Sequence, residues 1–315
     1  MLRRSMLELY HYPFSAMGSE CNLYLYSPGE SHAEAAVQAA TAEVLRIEQR
    51  YSRYNPGSVL SEINRIAQRG GGATLDEETA LLTDYAFACH QKSGGLFDIT
   101  SGILRKAWDF SSDTLDTLPH QAAINALLPK VGMEKIIWKP PHLTFTVPGM
   151  ELDFGGIGKE YASDRAAEVC VAHGITSGLV DLGGDIKIIG PHPGSQPWII
   201  GITDPHRPGG HLGSVELFEG ALASSGDYER CIMIDGVRYS HILNPATGWP
   251  VRGLSAVSVA AERCIAAGSL CTISMLKGVE GIQWLTDTAT VPYLWVDCDG
   301  NRGGTLSLLP PGDAA

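Results

Sequence analysis

No stretch of this 315-residue chain approaches the roughly 20 consecutive apolar residues of a membrane helix. Basic residues are also scarce, with 23 Lys and Arg against 35 Asp and Glu and a formal charge of -12. No basic patch offsets that balance, so the chain would repel a phosphate backbone, and neither nucleic acid nor membrane is expected as a partner. The seven cysteines include no Cys-x-x-Cys pair and no histidine at finger spacing, which argues against structural zinc. Their number is odd and their settings apolar, as in Glu-Val-Cys-Val around Cys170, which predicts buried reduced thiols and a reducing compartment. The N-terminus carries Arg3 and Arg4, but Ser5, Glu8, Tyr10 and His11 interrupt any secretory apolar run, so the expected location is cytoplasmic. Internal repeats and low-complexity linkers are absent too.

Glycine, by contrast, is abundant at 36 residues, well above the average of about 7%. With no collagen period, such glycines belong where backbone turns tightly or approaches a ligand. Alternation at 20–27 predicts a strand, and Ser31 with Glu34 has capping-box spacing for a helix over 32–50. Ser58 can cap a short helix ending at Ala67. Asp76 can cap another, with Leu81, Leu82, Tyr85, Ala88 and Cys89 on one face and Gly94-Gly95 as its stop. Short helices are expected between 100 and 130, strands at 135–138 and 143–147, and a helix at 159–172. The remainder reads as strands broken by one helix at 263–276. The expected fold is α+β, with a helical N-terminal half and a strand-rich C-terminal half built on mixed or antiparallel sheets. A structural division could fall near 150.

Four segments could carry chemistry. Asp153-Phe-Gly-Gly-Ile-Gly-Lys159 is a strand, three glycines and a lysine at a helix start, which suits a phosphate but equally a plain tight turn. Leu182-Gly-Gly-Asp185 could admit a flat or anionic ligand against bare backbone, or could be a β-bulge. The run 223–230, ASSGDYER, offers small residues, acids and an aromatic. In YSHILNPATG, residues 239–248, His241 precedes an Asn-Pro turn, where it can serve as a general base for a hydroxyl or as a structural histidine.

Taken together and in order, MGS (17–19), YNPGSVLSEIN (54–64), GLFDIT (95–100), DFGGIGKEYASDRAA (153–167), LVDLGGDI (179–186), ASSGDYER, YSHILNPATG and CIAAGSLCT (264–272) closely resemble the ApbE family of FAD:protein FMN transferases. The resemblance spans about 13–280, which marks a single flavin-transferase unit at 13-280 followed by a C-terminal extension at 281-315. It implies an enzyme that moves FMN from FAD onto a Ser or Thr hydroxyl of an acceptor flavoprotein, with Mg²⁺, releasing AMP. Met17, Tyr54, Leu96, Phe97, Asp98, Asp153 and Lys159 are then the expected FAD contacts, and His241 the residue that borders the diphosphate and assists the acceptor hydroxyl. The implied metal holders are the backbone carbonyl of Gly156 and the Asp and Thr of an A-D-A-L-x-T motif, of which Thr272 stands here.

The chain departs from that pattern at the metal. Gly268 occupies the position of the motif's Asp, and a hard Mg²⁺ favours anionic oxygen ligands. Ser19 stands where Thr is usual, Glu160 where Gly is usual and Asp181 where Asn is usual. Glu160 or Asp181 can replace the missing carboxylate only if the fold brings it to the diphosphate. Two further readings stay open at this point: an FAD-binding protein without transfer, and a hydrolase giving FMN and AMP.

Overall fold

The computed structural model describes residues 7–108, 110 and 117–310. Along the chain come β1 (Glu8–Ala16), β2 (Ser19–Ser27), α1 (Glu30–Tyr51), α2 (Val59–Arg69), β3 (Gly71–Thr74), α3 (Glu77–Ser93), α4 (Gln121–Leu127), β4 (Ile136–Lys139), β5 (His142–Phe145) and α5 (Gly158–Ala172). The second half holds β6 (Gly178–Leu182), β7 (Asp185–Gly190), β8 (Trp198–Thr203), β9 (His211–Leu217), β10 (Ala221–Gly226), β11 (Cys231–Ile234), β12 (Val237–Ser240) and β13 (Leu254–Ala261). It closes with α6 (Cys264–Lys277), α7 (Glu280–Thr288), β14 (Tyr293–Asp297) and β15 (Arg302–Gly304).

Eight strands form one antiparallel sheet in the order β1-β2-β6-β7-β10-β13-β14-β15. Because β2 pairs directly with β6, the helical segment between them is an excursion from the sheet and not a separate half. The division considered near 150 therefore does not divide the fold. Nor are residues 281–309 an appendage, since β14 pairs with β13 inside the sheet and buries Tyr293, Leu294 and Val296. Helices α1 and α5 cover one face together with α6. The β8–β9 hairpin packs Trp198, Ile200 and Val215 onto Leu179, Ile188 and Leu222 of the other.

The local signals mostly act as read. Ser58 accepts from the Ser61 N–H at 2.9 Å and Asp76 from the Thr79 N–H at 3.1 Å, each capping its helix, and Gly94 ends α3 in the left-handed region. The Ser31 capping box is not used, because α1 begins at Glu30 with Gly29 as its cap. Leu81, expected on the buried face of α3, is exposed, and the helix instead buries Thr79, Leu82, Thr83, Ala86 and Cys89. Strand β1 and helix α7 were not foreseen. Part of the expected helical stretch between 100 and 130 lies outside the described residues, as do Arg3, Arg4 and Ser5. Five cysteines are buried, Cys231 is half-buried, Cys298 is exposed and none is paired. Among the described residues, no helix is long and apolar enough to cross a membrane.

Candidate active site

The β1–β2 hairpin closes through Met17 and Gly18 alone, with Ala16 opposite Ser19, and both turn residues have positive φ, 54° and 70°. A two-residue turn of that hand matches strand twist. Methionine is an uncommon occupant, and its N–H is held by Glu48 Oε1 of α1 at 2.8 Å. A second tight turn, Gly183-Gly184 between β6 and β7, lies against the first. A Cβ on Gly183 would stand 2.7 Å from Ser19 Cβ, so only glycine lets the two turns meet.

These turns form one wall of a cavity of about 860 Å³. The end of α1 with Arg53 and Tyr54, the Asp153–Gly155 approach to α5, the 228–230 segment and His241 complete it, over a floor of β10 and β13. Of the residues expected to touch a flavin dinucleotide, Met17, Tyr54, Asp153, Lys159 and His241 all line this cavity. They come from four separate stretches of sequence, brought together by the fold.

Three of its charged wall residues, Arg53, Asp153 and Lys159, are ion-paired. Asp153 forms an ion pair with Arg53, whose guanidinium lies 5.2 Å from the centre of the exposed Tyr54 ring. Lys159 Nζ reaches Asp185 Oδ2 at 2.9 Å and donates to the Gly183 carbonyl at 3.2 Å. Burial lowers the Lys159 ammonium's pKa, but Asp185 together with Glu160 and Glu229 outweighs that and the net shift is upward. Glu229 also lines the cavity, and burial raises its carboxyl despite the opposing charge of Lys159.

His241 is held from behind. Its Nδ1 lies 3.1 Å from the Arg230 carbonyl oxygen, and only a protonated Nδ1 can make that contact, which leaves Nε2 bare. Burial pulls the ring's pKa down to about 4, with Arg230 and Lys159 adding to the effect and the carbonyl contact opposing it. The imidazole is therefore neutral at physiological pH, with an acceptor nitrogen available.

Three expected contacts are not on the cavity wall. Asp98 is buried, accepting from the Thr100 N–H at 2.7 Å, the Thr100 hydroxyl at 2.5 Å and the Met133 N–H at 3.0 Å. Its carboxylate ties the loop after α3 to residue 133 instead of facing a ligand. Phe97 is buried in the core behind Gly156, where a Cβ would meet its ring at 3.3 Å, and Leu96 packs half-buried on the same core. Of the three, Phe97 supports the glycine turn from below.

The ApbE family profile matches residues 17–295. The chain belongs to the ApbE family. An FAD:protein FMN transferase of Treponema pallidum is 30% identical over 286 residues, covering 84% of this chain and 77% of that protein. One of Vibrio cholerae is 27% identical over 293 residues, covering 92% and 87%. Among solved structures, the ApbE protein of Thermotoga maritima superposes with a TM-score of 0.86 at 30% identity, covering 95% of this chain and 97% of that one. The flavin transferase ApbE of Vibrio cholerae superposes at 0.81 with 26% identity and the same coverage. The fold is thus the ApbE fold, and the match extends past 280 into β14.

For an ApbE protein, the α5–α6 contact holds the surprise. Asp164 of α5 accepts from the Cys264 and Ile265 N–H groups at 2.9 and 3.1 Å, capping the start of α6, whose own N-cap residue, Arg263, makes no side-chain cap. One turn earlier on α5, Glu160 lies against Gly268, so close that a Cβ there would stand 2.4 Å from Glu160 Oε1. Glu160 is 7% exposed, and its Oε2 is buried with no hydrogen-bond partner. Burial, reinforced by Asp185, raises this carboxyl well above the usual range. Thr272 follows four residues after Gly268 and is half-buried, while Gly156 precedes α5. Asp181 is engaged elsewhere, accepting from the Gly184 N–H at 2.7 Å. Arg53, the ion-pair partner of Asp153, was not singled out from the sequence, although it stands next to a motif that was, whereas Asp185 lies inside the Leu182–Asp185 segment.

Proposed function

We propose that the chain transfers FMN from FAD to a Ser or Thr hydroxyl of an acceptor flavoprotein and releases AMP, with Mg²⁺ bound. The observation that carries this reading is His241, a neutral imidazole whose bare Nε2 belongs to a cavity walled by glycine backbone and cations. The cavity volume suits a dinucleotide, and bare turns let backbone N–H groups approach a diphosphate. Lys159, Arg53 and Arg230 provide positive charge for it.

In the reaction the acceptor oxygen attacks the FMN phosphorus, the bond from that phosphorus to the AMP phosphate oxygen breaks, and the acceptor proton passes to His241 Nε2. Phosphoryl transfer depends mainly on position and on neutralising charge. Tyr54 and the Met17–Gly18 turn hold the flavin nucleotide, and the ion pair with Arg53 orients Asp153 at the mouth. The residues present also fit a divalent cation, because Glu160 holds a buried, unpartnered carboxyl oxygen against Gly268, and the Thr272 hydroxyl one turn along α6 and the Gly156 carbonyl before α5 would be the further protein oxygens. When bound, the cation supplies charge neutralisation on the diphosphate.

The test incubates the protein with FAD, Mg²⁺ and a candidate acceptor and follows AMP and covalent flavin together. Equal amounts of both support transfer. AMP without flavinylated protein supports hydrolysis, and FAD binding with neither product supports a carrier.

A further inference from the structure

We propose that the Glu160 carboxylate is the anionic protein ligand of the divalent cation that accompanies FAD, presented from α5 onto the face of α6 that Gly268 leaves bare. The inference rests on the functional reading above. Two departures from the family pattern, an added Glu at 160 and a lost Asp at 268, meet at a single contact. Glu160 Oε1, Cγ and Cδ would lie 2.4, 2.6 and 2.8 Å from a Cβ on residue 268, so the Glu160 side chain fills the space where a residue at 268 would begin its own. The same acid is thereby supplied from the opposite helix.

The contact is a defined one. Helices α5 and α6 run so that Glu160 meets Gly268 and Asp164 meets Cys264, four residues along on each, and the two Asp164 bonds lock that register. Thr272, one more turn along α6 from Gly268, shares its face. The titratable groups around Glu160 are Asp185 from β7, Lys159 and Asp164 from its own helix, Tyr85 from α3 and Cys264 and Cys271 from α6. Lys159 is already bonded to Asp185 and makes no bond to Glu160 Oε2, and Asp164, like Asp185, adds charge of the same sign. A buried carboxylate oxygen without a partner is costly unless a proton or a cation joins it. Among the described residues, no group of three or more His, Cys, Asp or Glu is arranged to hold a metal. The cation's remaining oxygens must then come from carbonyl, hydroxyl and the FAD diphosphate, and binding should require FAD.

The experiment uses Mn²⁺ as the probe, measured by electron paramagnetic resonance of the free ion, with and without FAD and with no acceptor. FAD affinity in chelator and thermal melting are measured alongside. The parent should bind Mn²⁺ only with FAD. Glu160→Gln should keep the melting temperature and the chelator-state FAD affinity but bind Mn²⁺ at least about tenfold more weakly. The exchange variant Glu160→Gly/Gly268→Asp should recover Mn²⁺ binding, and it carries the test if Glu160→Gln folds poorly. Parental Mn²⁺ binding by Glu160→Gln, or a folded exchange variant that stays deficient, overturns the assignment. So does a parent that binds FAD but no Mn²⁺. A parent that binds no FAD overturns the functional reading instead.

Discussion

His241 combines two properties that bear directly on kinetics, a bare Nε2 and a pKa near 4 in the ligand-free protein. Because kcat/KM reports the free enzyme, its pH profile for FAD should show no limb near the ordinary histidine value of about 6.5 and should begin to fall only toward pH 4. The sign follows from protonation, since the ring must be neutral to accept the acceptor's proton and is charged only below its pKa. His241→Ala should lower transfer by about 10² to 10⁴ while leaving FAD affinity near parental, measured by flavin fluorescence. Lys159 behaves differently from what its place in the glycine motif suggests. Its ammonium holds a nearly buried Asp185, so Lys159→Ala strands that charge and should cost about 3 kcal/mol of stability as well as FAD affinity. Lys159→Ala/Asp185→Asn should recover most of the melting temperature but not the FAD affinity. His241 and Lys159 were legible in the sequence because glycine and turn residues flank them. That Asp98 stands off the cavity wall was not legible, because sequence cannot tell an acid that faces solvent or ligand from one consumed by Thr100 and Met133. The departures at Glu160 and Gly268 were legible singly, whereas their contact depends on how α5 lies on α6.

Among the elements, the paired turns Met17-Gly18 and Gly183-Gly184 set the cavity's width. Gly183→Ala forces an alanine to φ near +62° and its methyl onto Ser19, which should cost about 1 to 3 kcal/mol and weaken FAD binding together. Thermal melting and a fluorescence titration check both, and unchanged values would mean the turns can separate freely. Capping and periodicity made α1, α2, α3, α5 and α6 readable within one to three residues, because Ser58, Asp76 and Gly94 act locally. Strand β1 and helix α7 escaped the same reading. The exposed edge strand β1 alternates weakly, and α7 follows α6 after the short break at Gly278 and Val279. Asp164, which caps a helix 100 residues away, carries no sequence signal of that role.

Across the whole molecule, one sheet takes in both ends of the chain, with β1–β2 at one edge and β14–β15 at the other. Ending the chain at Val291 should therefore abolish cooperative unfolding by calorimetry, since it removes β14 from beside β13 and uncovers Val257 and Val259. A truncated chain that still melts cooperatively would mean that the C-terminal strands are dispensable. The α+β class was readable from the pattern of helices and strands, but the place of β14 in the sheet was not, because it joins by pairing and carries none of the motifs. The account's central claim is transfer through His241, and the most direct measurement is the intact mass of an acceptor flavoprotein after incubation with FAD, Mg²⁺ and either the parent or His241→Ala. Gain of one FMN per acceptor with the parent, matched by AMP and lost with His241→Ala, is the predicted result. An acceptor left unmodified by the parent, or modified equally by the folded His241→Ala protein, would contradict it.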